Sequence, residues 1–309
     1  MNKLFGLFLL ALAIFSPVNA DAACSGGNCF WIGGSGTIDG TSDNGHWAIT
    51  SGGASCACVP NNTTDNLTFD GSSGTGTVTV SMPGGTLTAG TLTASNFNGT
   101  LDFATSNNNV TLTGANAFTS SSSVVRTVNL GSGTWTLSGP SAIWNAITGT
   151  NLTLNASTST IAFTAVGSTG QRRFFAGGKT YATVTVSSAS AGSFSMAGAS
   201  GTIGTFTVST PNKLYFVAGS TATITNFTNI TCNSTNQCLV ASDNTASNTV
   251  ATVSSANNWT CTYCAINQMT FTGGGTFTGT NSFDTGINTG IAITPPSGGG
   301  GGGGRIIGG

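Results

Sequence analysis

Between residues 75 and 280, apolar side chains alternate with threonine or serine in one short segment after another, and a period of two dictates strands. The segments Thr77-Val78-Thr79-Val80, Thr111-Leu112-Thr113, Thr134-Trp135-Thr136-Leu137, Leu152-Thr153-Leu154, Thr183-Val184-Thr185-Val186 and Thr205-Phe206-Thr207-Val208 each send apolar side chains to one face and hydroxyls to the other. Composition closes off the helical alternative. Charged residues make up 5% of the chain, every acid is aspartate, and the polar residues are Thr, Ser, Asn and Gly, which suit strands and turns.

Clusters such as Gly84-Gly85, Asn107-Asn108-Asn109, Gly131-Ser132-Gly133 and Gly177-Gly178 punctuate the strands, because Gly and Asn tolerate the positive φ of tight corners. Strand cores return irregularly at about two dozen residues, a length that suits coils of two or three strands. Val78, Leu101 and Val124 illustrate the step, as do Leu112, Leu130 and Leu152. A coil of this size hides its apolar face only by stacking on the next. The expected fold is therefore all-β, a right-handed parallel β-helix of roughly ten coils rather than a series of sandwiches.

Four segments follow. Residues 1–22 have the layout of a secretory signal, with Lys3, an apolar stretch from Leu4 to Phe15 and the small residues Ala20 and Ala22, so export is expected and no integral membrane segment remains after its removal. Residues 23–70 read as an N-terminal cap, 71–294 as the β-helix body, and 295–309 as a flexible tail dominated by glycines 298–304. Eight cysteines in an exported chain favour disulfides. They form two groups, Cys24, Cys29, Cys56 and Cys58, then Cys232, Cys238, Cys261 and Cys264, and pairing within each group would staple the two ends. A four-thiolate zinc site around Cys261-x-x-Cys264 is the competing reading. With 7 basic and 8 acidic residues the chain lacks the electrostatic footprint of a nucleic-acid binder, and no cofactor is expected.

The opening Phe30-Trp31-Ile32-Gly33-Gly34-Ser35-Gly36-Thr37, followed by His46-Trp47, Ser51-Gly52-Gly53, Pro60 and Asp65-Asn66-Leu67-Thr68-Phe69-Asp70, resembles that of β-helical surface proteins and of tail-fibre-like virion structural proteins of tailed bacteriophages from environmental sequences. Gly131-Ser132-Gly133-Thr134-Trp135-Thr136-Leu137, Ile143-Trp144-Asn145 and Phe175-Ala176-Gly177-Gly178-Lys179-Thr180-Tyr181 continue the likeness. Ile38 departs from it, standing near where the pattern often carries a second tryptophan. The resemblance implies a parallel β-helix on a bacterial surface or virus particle, with a structural or attachment role.

Candidate chemistry is sparse. Glycan cleavage needs paired carboxylates, or a carboxylate with a basic partner, and between residues 71 and 242 the sole acid is Asp102. In the cap, Asp39, Asp43 and His46 are the catalytic candidates, and Asp39, Asp43, Asp65 and Asp70 are candidates for calcium; turn-capping is the plainer role of these acids. Threonines repeated across coils, Thr111, Thr113, Thr134, Thr136, Thr183 and Thr185, are candidates for a ligand surface. Trp31, Trp47, Trp144, Trp259 and Tyr263 offer stacking for sugars if exposed and core filling if not. The expected function is a secreted, non-enzymatic structural or adhesive protein of a cell surface or virion appendage, contacting glycans or other subunits and open to self-association. The alternatives are a polysaccharide-active enzyme and a binder of ice or crystalline surfaces through threonine rows.

Overall fold

The computed structural model describes residues 24, 27–147, 151–164, 170–187, 192–197, 201–209, 213–244 and 248–297; the expected export signal and the glycine-rich tail from 298 lie outside them. The fold is an all-β parallel solenoid. Strands Asn66–Phe69, Thr75–Val80 and Thr86–Ala89 make one coil, and Thr91–Ala94, Asn98–Asp102 and Asn109–Leu112 repeat it in parallel register. Among the described residues four sheets result: sheet 1 has twelve strands, sheet 2 five, sheet 3 nine and sheet 4 four. Sheets 1 and 3 run along most of the solenoid. Sheet 2 ends at Leu152–Asn155, and sheet 4 starts at Ile230–Thr231.

Coil length varies along the solenoid, reaching 31 residues between the register partners Thr221 and Thr252. Hydrogen bonds between neighbouring coils join residues 27 apart at Asn129 and Asp102, 21 apart at Thr207 and Thr228, and 18 apart at Thr260 and Thr278. Val78 stacks on Leu101, but the next residue of that column is Val128, and Val124 is not part of it. Likewise Leu112 stacks on Leu137, Leu130 lies just past the strand Arg126–Asn129, and Leu152 faces Arg126. In sheet 2 the irregular step coincides with Arg126. It sits at an inward position, 1% exposed, and donates through Nε to Ser120 Oγ at 2.7 Å and through Nη1 to the carbonyls of Ser122 and Val124 at 2.9 and 2.8 Å, with Nη2 bonded to the Ser120 carbonyl. Residues 120–124 thus wrap a buried cation instead of extending the strand. Burial pushes the Arg126 guanidinium below its ordinary pKa, and does the same to the buried Arg172.

The inward columns build a continuous aromatic core. Phe103 meets Trp135 at 4.5 Å, Trp135 meets Trp144 edge-on at 5.6 Å, and Phe118 stacks on Trp144 at 4.0 Å. Further along, Phe206, Phe227, Trp259, Phe271 and Phe277 follow one another. Buried ring donors find partners. Trp144 Nε1 donates to the Tyr181 hydroxyl at 3.1 Å, which donates to the Ala176 carbonyl at 3.1 Å, and burial raises the Tyr181 pKa. Truncating a tryptophan in such a core costs about 3–5 kcal/mol through lost transfer energy and the cavity left behind.

Corners are tied by asparagine. Asn108 accepts from Met82 N at 3.1 Å and donates to the Met82 carbonyl at 3.3 Å, clasping the coil before it, while Asn107 and Asn109 accept from Ser132 N and Thr134 N in the coil after it, both at 2.8 Å. Gly133 lies opposite this run, where an added Cβ would sit 2.2 Å from the Asn108 carbonyl oxygen.

At the N-terminal end, Trp47–Ala48 pairs antiparallel with Asn28–Trp31 and so covers the edge of sheet 1. Asn61 Oδ1 accepts from Thr88 N at 3.0 Å on the first strand of sheet 3. The cysteines bond within their two groups, as Cys24–Cys29, Cys56–Cys58, Cys232–Cys238 and Cys261–Cys264. The two later bridges lie on neighbouring coils, since Cys238 and Cys264 are register partners in sheet 1.

Candidate functional site

The outer face of sheet 3 brings the repeated threonines together. Strand pairing from Thr86–Ala89 to Thr221–Phe227 aligns two ranks, one residue from each strand in each rank except that the second ends on Thr228, the residue just past the last strand. The first runs Thr86, Asn109, Thr134, Thr160, Thr183, Thr205, Asn226, and the second Thr88, Thr111, Thr136, Ala162, Thr185, Thr207, Thr228. Of the sequence candidates, Thr134 and Thr183 fall in the first rank and Thr111, Thr136 and Thr185 in the second. Thr113 falls outside both, and its hydroxyl donates to the Thr63 carbonyl at 2.7 Å.

Local physics explains the order. A strand shows every second side chain outward, so Thr-x-Thr presents two hydroxyl-bearing residues per coil about 6.6 Å apart, and parallel stacking repeats them about every 4.8 Å. Threonine is stiff about χ1, so a rank of identical residues in identical backbone conformation is ordered before anything binds. Thr134, Thr136, Thr160, Thr183, Thr185, Thr205 and Thr207 are half-buried, each shielded by its neighbours in the rank. Among the described residues the hydroxyls of Thr111, Thr136, Thr160, Thr183, Thr185 and Thr205 have no hydrogen-bond partner, whereas Thr207 and Thr228 bond each other at 3.0 Å. Neither rank contains a charged residue. Sequence reading found the motif but not the register, because the coil lengths that align it are unequal.

Sheet 1 presents a different exterior in the same coils. One outward column reads Thr93, Thr119, Asn145, Phe175, Ala197, and another Ile143, Arg173, Ser195, Tyr215, Ala241, Asn267, in which Ser195 and Ala241 are buried.

The cap acids are each engaged in a turn. Asp39 accepts from the backbone N–H of Thr41 and Ser42 at 2.8 and 3.0 Å, from Ser42 Oγ and from Asn44 Nδ2. Partial burial pushes its pKa up, but these bonds outweigh burial and hold it below the ordinary value. Asp43 accepts from Trp47 N at 3.0 Å and from Ser55 Oγ. Asp70 caps the short 3-10 helix Gly71–Ser73 through a capping box. Asp65 is fully buried; burial raises its pKa against the opposing backbone bonds from Asn61, Asn62 and Cys24. His46 lies flat on Trp31 with ring centroids 4.5 Å apart, and its Nδ1 is 2.8 Å from the Ile32 carbonyl oxygen. On the body, Asp102 is likewise occupied, by Ala104 N, Thr105 Oγ1 and Asn129 Nδ2.

Among the described residues, the one group of three potential metal-ligating side chains that converges is Cys24, Cys56 and Cys58, whose sulfurs lie within 4.8 Å of one another and belong to the two disulfides of the cap. A shallow concavity lined by Phe174, Ala176, Met196, Phe216, Ala222 and Thr252 contains no ionisable side chain. Trp31, Trp47, Trp144 and Trp259 are buried, and Tyr263 is half-buried. Among the described residues no helix is long and apolar enough to cross a membrane. No protein-family model, curated protein or solved structure matches the chain.

Proposed function

We propose that the protein is an exported, non-enzymatic solenoid of a cell surface or virion appendage, and that the threonine wall of sheet 3 is its contact face for an uncharged surface of repeating hydroxyls. The coils are assigned right-handed winding, the rule for parallel strand connections. The observation that carries the reading is the contrast between two walls built by the same coils. Threonine is favoured on any exposed strand, and sheets 2 and 4 each stack it over four strands, as Thr77, Thr100, Thr127, Thr153 and as Thr231, Thr262, Thr280, Thr294, yet sheet 3 carries two ranks seven positions long while sheet 1 carries none of that length. Strand propensity acts on both walls alike, so it leaves the contrast unexplained. A binding face accounts for it.

The cap disulfides, in this reading, staple the end from which the wall begins. Catalysis is disfavoured because the carboxylates of Asp39, Asp43 and Asp70 already serve turns, with His46 packed against Trp31. The test is retention of the purified, oxidised chain on a glycan array and on insoluble cellulose and chitin, with an assay for newly released reducing ends. Retention without release is expected. Release that disappears in Asp43→Asn would replace this reading with a hydrolase.

A further inference from the structure

The wall is a two-dimensional grid with the spacings of any parallel sheet, and what sets it apart is the uncharged side chain repeated at its nodes. Resting on the contact face argued above, we propose that the ligand of the sheet 3 wall is ordered water, the surface of ice. Hydrogen-bonded water oxygens lie about 2.75 Å apart, so tetrahedral bonding sets second neighbours about 4.5 Å apart and gives hexagonal ice an axial repeat of about 7.3 Å, eight thirds of one bond. The wall offers about 4.8 Å between coils and about 6.6 Å along each strand.

These mismatches decide whether the grids stay in step. A difference of about 0.3 Å per coil accumulates to about 2 Å across the two ranks, which is less than half a lattice step. With the centre of the wall matched, each end is out by about 1 Å. Every coil therefore remains nearest to its own row of water sites. A single glycan chain repeats in one direction only and would engage one rank at a time, whereas crystalline cellulose and chitin repeat in two directions and are therefore the comparison surfaces of the test.

The chemistry of the grid agrees with its spacing. Water in ice is neutral and both donates and accepts, and a threonine hydroxyl does both. Neither rank carries a charge, and the hydroxyls of Thr136, Thr160, Thr183 and Thr185 have no partner among the described residues. Their methyl groups fill the spaces between hydroxyls with apolar surface. Since the side chains are already fixed by their backbone and neighbours, little freedom is lost on adsorption. Asn109 and Asn226 stand at first-rank positions, and Ala162 leaves one gap in the second.

The experiment measures uptake of the oxidised chain into slowly grown polycrystalline ice, beside its retention on crystalline cellulose and chitin. Thr185→Tyr introduces a bulky residue that strands accept well, and Asn145→Tyr places the same bulk on sheet 1 as the control. Circular dichroism and thermal melting confirm that both variants fold. The expected result is uptake into ice by the parent and by Asn145→Tyr, with Thr185→Tyr reduced to the level of a non-binding protein. Retention on a polysaccharide without uptake into ice would overturn ordered water as the ligand and leave the contact face standing. Absence of retention on all three would overturn both. Uptake lost in Asn145→Tyr and kept in Thr185→Tyr would move the site off this wall.

Discussion

In the coils that sheets 1 and 3 share, their inward faces are alike and their outward faces differ. Facing in, Leu92, Phe118, Trp144 and Phe174 on sheet 1 match Val110, Trp135, Ile161 and Val184 on sheet 3 in kind, all of them buried. Facing out, sheet 1 carries Arg173, Tyr215 and Lys213 among small and amide side chains, while sheet 3 repeats threonine. The interior asks only for volume and apolarity, so it leaves the exterior free to differ. Foldability and surface are separately encoded in one chain.

The largest effect should fall where the walls are equivalent. Trp135→Ala and Trp144→Ala are each expected to cost about 3–5 kcal/mol in denaturant unfolding. A much smaller loss for one of them would break the equivalence of the interiors. Outward exchanges sharpen the contrast instead: Thr136→Lys with Thr183→Lys should abolish retention on the preferred surface, and Arg173→Thr with Lys213→Thr should leave it unchanged, each exchange shifting stability by about 0.5 kcal/mol or less. Smaller again is Ala162→Thr, which completes the second rank and should raise retention over the parent in the same adsorption assay.

The smallest expected effect lies in the cap. Asp39 has a lowered pKa in the fold, so its contribution is present above the ordinary carboxylate range and is lost as pH falls through the folded value. Asp39→Asn should flatten the decline of melting temperature below about pH 4. Asp65, raised by burial, has the opposite sign: its contribution is full below the ordinary value and fades as pH climbs through the folded one. Asp65→Asn should therefore leave acid stability nearly unchanged and remove that fading, read in the same melting series.

Alternation made the strands of sheets 2 and 3 legible, and Thr-x-Thr made the wall's residues legible one coil at a time. Their alignment was not. Val124 fits the spacing as well as Val128 does, yet it lies outside the column, in the segment whose Ser120, Ser122 and Val124 carbonyls the buried Arg126 holds. An arginine inside a strand pattern reads as an outward residue until its partners are known. Leu154 shows the complementary limit. It fits the inward phase, yet it is half-buried because sheet 2 stops at its strand, and the end of a sheet is a property of neighbouring coils rather than of the segment itself.

The ending of sheet 2 has a wider consequence. Circumference contracts from coils 27 residues round to ones of 21, yet both ranks on sheet 3 keep their register through that transition, with Ala162 the one position there that lacks a hydroxyl. Girth and array length are therefore independent variables. Duplicating a coil, wide or narrow, would extend the row by one place without disturbing those already laid, so the array can lengthen by whole coils while each existing position stays as it is.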